Sequence, residues 1–387
     1  MTAASNAAAP PPSPRDNHLF APGRKRILSI DGGGVRGIIA LGFIERLEAL
    51  LAGAHGKPVR LCDHFDLIGG TSTGAIIATA LALGYSARDI RDFYVRMGPK
   101  VFRRPWLRLP GWQAKFDAEA LRREIIEVVG ARLLGSEDLQ TGLGIILKRI
   151  DAGGAWIVAN NPRAPYWRTP ADGSFIGNCH YSLANLVRAS TAAPHYFDPQ
   201  IIPIIEAMPP ALFVDGGLTP HNDPALALFL MTVLPAYQLL WPLGAEKLTI
   251  VSLGTGTYRP RFPSAELRRA SSTTIALHSL TQQIAESQQL TLTMMAWLGR
   301  GGSRWPINSE IGDLAALEPP FGALFRFLRY DVRLEADWLK DTLALSLSPR
   351  DLAAIRRFDN PGAIELLADI GRRAAARQMS AMEVDAA

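Results

Sequence analysis

Apolar positions along this chain alternate between two patterns. Short, largely apolar runs at residues 26–30 and 65–68 each lead into a glycine-rich turn, and both predict strands. Further strands are predicted at 156–159, 212–214 and 248–253, each bounded by Gly, Asn or Pro. Between the first two runs, Ile38, Leu41, Ile44, Leu47 and Leu51 recur at three- and four-residue steps and predict a helix over 37–51. A second helix is predicted over 74–83, and Ser86 is placed as the N-cap of a third through Phe93 and beyond. Alternating strands and helices imply an α/β fold: a three-layer α/β/α sandwich with a mainly parallel central sheet. In such sheets ligands bind beyond the carboxyl ends of the strands, which is where both glycine turns fall.

The rest of the pattern divides the chain. Residues 1–23 are rich in Ala, Pro and Ser and lack a cationic start followed by an apolar stretch, so a disordered tail is expected there rather than a secretory signal. Residues 24–258 are expected to form the core, and 259–387 a helical and strand extension packed on the same domain. Residues 224–245 carry no charge and approach the length of a membrane span. Pro235, Tyr237, Gln238 and Pro242 interrupt them, so a buried helix running to a proline break is expected. Residues 264–298 predict a long helix whose Ile275, Leu280, Ile284, Met294, Met295 and Trp297 pack on the core, or else line a lipid cleft.

Composition narrows the classes. With 48% hydrophobic and 20% charged residues this is an ordinary folded chain. Its net charge of +5 suits an anionic surface without demanding one. Residues 88–112 mix Arg88, Arg91, Arg96, Lys100, Arg103, Arg104 and Arg108 with Phe102, Trp106 and Trp112, which fits either a peripheral membrane contact or a solvated helix face. With no recognised nucleic-acid module, no nucleic-acid partner is expected. Two cysteines are too few for a disulfide framework, and Cys62-Asp63-His64 has no partner cluster, so neither a metal nor a cofactor is expected. A cytoplasmic location is expected, with oligomeric state left open.

Three turns carry candidate chemistry. In Gly69-Gly70-Thr71-Ser72-Thr73-Gly74 a serine stands between glycines after a strand and before a helix, the arrangement that exposes a nucleophile. Asp31-Gly32-Gly33-Gly34-Val35-Arg36-Gly37 places free backbone N–H groups at a helix start, suited to a developing oxyanion. A serine alcohol needs a base. Phe213-Val214-Asp215-Gly216-Gly217 supplies a carboxylate at a strand end, on the same rim as Ser72 if the strands are neighbours.

With these three motifs in this order the chain resembles the patatin-like phospholipases, a family of lipid acyl hydrolases. Arg188-Ala189-Ser190-Thr191-Ala192-Ala193-Pro194, Tyr196-Phe197 and Ser252-Leu253-Gly254-Thr255-Gly256 add to the likeness, which covers roughly residues 25–257. The resemblance implies a Ser72–Asp215 dyad, with Ser72 as nucleophile and Asp215 as base. It implies an oxyanion hole from Gly33 and Gly34 with Arg36, an acyl-enzyme intermediate and a lipid or phospholipid substrate. Gly32, Gly37, Gly70, Gly74, Gly216 and Gly217 would support the motifs. A small-ester esterase, a ligand-activated effector phospholipase and a catalytically silent lipid binder are the alternatives.

One departure stands out. After Asp-Gly-Gly the chain continues Leu218-Thr219-Pro220-His221-Asn222-Asp223-Pro224, and His221 opens the option of a triad; His195 and His278 have no motif context. Gly32-x-Gly34-x-x-Gly37 also fits a dinucleotide fingerprint, but no acidic residue closes a second strand at the required distance. Asp31 is expected to be structural, accepting from its own turn or pairing with Arg36.

Overall fold

The computed structural model describes residues 12–103, 114–259, 268, 270–302 and 305–380. The strands are β1 (Lys25–Ile30), β2 (Leu67–Thr71), β3 (Gly142–Arg149), β4 (Gly154–Ala159), β5 (Gln200–Ile202), β6 (Ala211–Asp215), β7 (Leu248–Leu253) and β8 (Arg326–Tyr330). The helices used below are α1 (Pro14–Phe20), α2 (Gly37–His55), α3 (Leu61–His64), α4 (Thr73–Ala82), α5 (Ala87–Val101), α6 (Ala118–Val129), α7 (Leu183–Ser190), α8 (Ala225–Val233) and α9 (Ser272–Leu298). Three shorter or later helices follow at Ala336–Leu343, Pro349–Arg356 and Ile364–Gln378.

The strands form one mixed sheet in the order β5-β6-β3-β2-β1-β7-β8, with β4 also on β3. β3, β2, β1, β7 and β8 are mutually parallel, and β4 and β6 oppose β3. Alternate residues serve two cores, as a pleated strand requires. Leu28, Ile30, Val251 and Leu253 pack with α2, α4, α5 and α7, while Ile27, Leu248 and Ile250 pack with α8 and the end of α9. Helices thus cover both faces of a mostly parallel sheet, the expected α/β fold.

The register around β3 positions the site. Residues 147–149 of β3 pair with both β4 and β6, and residues 144–146 pair with both β4 and β2. β2 and β6 therefore lie on the same edge of β3 and run toward each other. Thr71 faces Ile146, and Asp215 faces Leu147.

Several expectations change. Part of the expected tail is helical: α1 begins at a Ser13 cap with Pro14 in the first turn, and buries Leu19. His18 binds Asp66 (3.0 Å), and Trp241 Nε1 donates to the Leu19 carbonyl (2.8 Å), which ties α1 down. β3 and β8 lie outside the predicted strands. β8, from the C-terminal third, extends the sheet beside β7. The uncharged stretch 224–245 holds α8, which ends before Pro235. No helix among the described residues is long and apolar enough to cross a membrane.

In the basic stretch, α5 starts at a Ser86–Asp89 capping box and buries Ile90, Phe93, Tyr94, Met97 and Val101. Its Arg91 pairs with Glu45 (2.6 Å) and Lys100 with Glu124 (2.7 Å). Arg104, Trp106, Arg108 and Trp112 lie outside the described residues. In α9, Leu292, Met295 and Ala296 are buried, whereas Ile275 and Trp297 are exposed.

Candidate active site

Ser72 sits between the end of β2 and the start of α4 with φ 54° and ψ −122°. An L-residue rarely adopts such a backbone, so neighbours must hold it there. Its N–H donates to Ser190 Oγ (2.9 Å), and that hydroxyl donates to the Ile146 carbonyl (2.7 Å). The sharp turn also requires bare backbone on either side. A Cβ on Gly70 would lie 2.6 Å from the Ala75 nitrogen, and one on Gly74 would lie 2.7 Å from the Asp31 carbonyl oxygen.

Ser72 Oγ donates to Asp215 Oδ2 at 2.6 Å. The other oxygen, Oδ1, accepts from the Gly217 N–H at 2.7 Å, which fixes the carboxylate plane. Asp215 is only 5% exposed. Burial pushes its carboxyl up to about 6, against the opposing pull of the Ser72 and Gly217 hydrogen bonds and the Arg188 charge. Arg188 is itself buried, donates to the Asp198 carbonyl (2.7 Å) and is lowered by burial to about 10.

The glycine turn stands against the serine: a Cβ on Gly32 would lie 3.3 Å from Ser72 Cβ. Asn222 and Thr255 hold it, the first by accepting the Gly32 N–H (3.0 Å) and the second by donating to the Gly32 carbonyl (2.7 Å). Gly34 has φ 58°, and its carbonyl accepts from Thr73 Oγ1 (3.0 Å) and the Tyr94 hydroxyl. Val35 N–H donates to the Phe358 carbonyl (2.8 Å). Among the described residues nothing accepts the N–H groups of Gly33 and Gly34. The arrangement thus joins a hydroxyl, a buried carboxylate and two unengaged N–H donors.

Other candidates fall elsewhere. The Arg36 N–H closes on the Gly33 carbonyl (3.2 Å), and its guanidinium is lowered by burial against the influence of Tyr258, Asp331, Asp31 and Tyr94. No hydrogen bond joins it to Ser72 or Asp215. Asp31 pairs with Arg329 rather than with Arg36. A sequence reading pairs it with the nearest cation along the chain, whereas β8 brings one from 298 residues away.

His221 likewise makes no hydrogen bond to Ser72 or Asp215. Its N–H donates to Thr219 Oγ1 (3.1 Å), its carbonyl accepts from Thr71 Oγ1 (2.6 Å), and burial lowers its ring pKa. His195 is exposed, and the His278 side chain lies outside the described residues. The sequence alone assigns no role to Ser190, Asn222 or Thr255. All three lie within the motif segments quoted above, which is the signal that points to them.

A sequence model described as patatin-like phospholipase matches residues 28–229. The chain is 30% identical over 250 residues to patatin-like protein 4 of Arabidopsis thaliana, covering 60% of this chain and 59% of that one. It is 28% identical over 210 residues to a cGAMP-activated phospholipase of Escherichia coli, covering 53% and 55%. A cUMP-AMP-activated phospholipase of Escherichia coli is 30% identical over 245 residues, covering 63% and 69%. The chain therefore spans somewhat more than half the length of these relatives. The motifs, their order, the α/β sheet that carries them and a family match over more than half of the chain lead to one assignment: this chain belongs to the patatin-like phospholipase family.

Proposed function

We propose that this chain is a serine-dependent lipid acyl hydrolase that cleaves carboxylic esters of glycerolipids through Ser72 and Asp215. The observation that carries the reading is the 2.6 Å Ser72 Oγ–Asp215 Oδ2 hydrogen bond, supported by the unengaged N–H groups of Gly33 and Gly34 in the turn whose Gly32 stands against Ser72. Asp215 takes the hydroxyl proton as Ser72 Oγ adds to the ester carbonyl carbon. The carbonyl oxygen becomes an oxyanion, held by the Gly33 and Gly34 N–H groups. Collapse of that intermediate expels the alcohol half of the lipid, protonated by Asp215, and leaves an acyl-serine. Water then attacks the acyl carbon as Asp215 takes its proton, and the fatty acid leaves as Ser72 is restored. Arg36 enters through the backbone of the turn, since its N–H closes on the Gly33 carbonyl.

The reading is tested by fatty-acid release from phospholipid vesicles, with a short soluble ester run in parallel. The wild-type chain is expected to release fatty acid and Ser72→Ala to release none. Equal release by Ser72→Ala contradicts the assignment. Activity confined to the short ester makes the chain an esterase instead.

A second reading concerns control. Two relatives are named as a cGAMP-activated and a cUMP-AMP-activated phospholipase, at 28% and 30% identity over 210 and 245 residues. On this reading the purified chain is slow until such a ligand is added. Comparing vesicle hydrolysis with and without it separates the two cases.

A further inference from the structure

A buried cluster of charges adjoins the glycine turn. Arg329, on β8, donates from Nη1 to Asp31 Oδ1 (2.9 Å) and from Nη2 to Asp31 Oδ2 (2.6 Å). The same guanidinium reaches Asp223 Oδ2 (3.2 Å), Asp331 Oδ2 (2.9 Å) and Ser252 Oγ (2.7 Å). All four charged side chains are 0% exposed. Gln288, on α9, adds a hydrogen bond from Nε2 to Asp31 Oδ2 (2.8 Å).

The partners of Arg329 are the supports of the turn. Asp31 directly precedes Gly32. Asp223 directly follows Asn222, whose carbonyl accepts the Gly32 N–H. Asp331 accepts the Gly256 N–H (2.9 Å), next to Thr255, whose hydroxyl holds the Gly32 carbonyl. Three segments that meet at the turn are thereby tied to one planar guanidinium, and a two-pronged arginine–carboxylate pair fixes orientation as well as distance.

Stability alone is a poor reason for this cluster. Three carboxylates face one guanidinium in the buried interior, and apolar side chains of equal volume often stabilise a fold as well or better. Burial first, then Asp223 and Asp331, push the Asp31 carboxyl well above the usual range against the pull of Arg329. Arg329, Asp331 and Gln288 all lie beyond residue 229, where the family match ends.

We infer that Arg329, assisted by Gln288, is a positioning residue that holds Asp31, and through it the N–H groups of Gly33 and Gly34, where the oxyanion forms. This rests on the proposed Ser72 chemistry.

Arg329→Lys keeps the charge and loses the two-pronged geometry. Gln288→Met removes one hydrogen bond from a half-buried side chain and is the milder change. Both are assayed on a short soluble ester at a temperature where circular dichroism shows each variant fully folded. For Arg329→Lys kcat falls about tenfold or more, and for Gln288→Met about threefold, with KM held within about twofold in both. If Arg329→Lys does not fold, Gln288→Met decides. Unchanged kcat in a folded variant, or a loss carried by KM, overturns the inference while leaving the Ser72 reading intact. A wild-type chain without Ser72-dependent hydrolysis overturns both.

Discussion

Thr71 and Asp215 face adjacent residues, Ile146 and Leu147, on one edge of β3, although β2 and β6 do not pair with each other. β2 reaches that edge parallel to β3 and β6 reaches it antiparallel, so the two strands end against one another. The residue after Thr71 is Ser72. Its contact with Asp215 is therefore set by sheet register rather than by a loop. A slip of one residue between β3 and β6 would turn Asp215 to the opposite face of the sheet.

Asp215→Asn separates chemistry from stability. The variant is expected to lose acyl hydrolysis by about a thousandfold or more, because no base remains for Ser72. It is also expected to be more stable than the wild type at neutral pH. The folded carboxyl lies near 6, above its ordinary 3.8. The stability tied to its protonated form is therefore fully present below about pH 4 and lost as pH rises through about 6. Asn does not ionise, so its advantage grows across that window to about 3 kcal/mol, at 1.36 kcal/mol per pKa unit. Denaturant melts at pH 4 and pH 7.5 check this, and an equal difference at both values contradicts it.

The same carboxyl is expected to set the pH profile. Asp215 accepts the Ser72 proton only when ionised. On a short soluble ester kcat/KM is expected to climb with pH, reach half its maximum near pH 6 and level off above it. A profile still rising steeply between pH 7.5 and 8.5 would assign the base to another group.

Ser190 is expected to matter through the Ser72 backbone. Ser190→Ala leaves the Ser72 N–H and the Ile146 carbonyl without their shared partner, and one buried unpaired polar group costs about 1–3 kcal/mol. Melting should shift down, and kcat should fall about tenfold as the strained turn at φ 54° relaxes. A loss of stability with kcat unchanged would limit Ser190 to a structural role.

His221→Ala distinguishes dyad from triad. The imidazole bonds neither Ser72 nor Asp215, and its backbone contacts survive the substitution. Activity on the short ester is expected to stay within about threefold of wild type. A loss matching that of Asp215→Asn would bring the histidine into the mechanism.

The candidate motifs are legible in the sequence, and their meeting in space is not. β1 and β2 stand out because apolar runs lead straight into glycines that helices follow, and β7 because its apolar run ends at Gly254. β3 does not, although it is the strand that brings Ser72 and Asp215 together. Residues 142–147 are buried throughout, so they show no polar alternation, and Gly142 and Gly144 dilute the apolar run. The Arg329 cluster is invisible for another reason. Its charged members lie in three distant segments, and no local pattern links Asp31 to β8. The helix Pro14–Phe20 was hidden by Pro- and Ala-rich neighbours, since its stability comes from contacts with Asp66 and Trp241 far along the chain.

Labelling with a fluorophosphonate probe followed by peptide mapping tests the central claim most directly, because the reagent reacts with an activated serine. The wild-type chain is expected to carry the label on Ser72 alone, and Asp215→Asn to react about a hundredfold more slowly. Label on any other serine, or equal rates for the two proteins, would contradict a Ser72 nucleophile activated by Asp215.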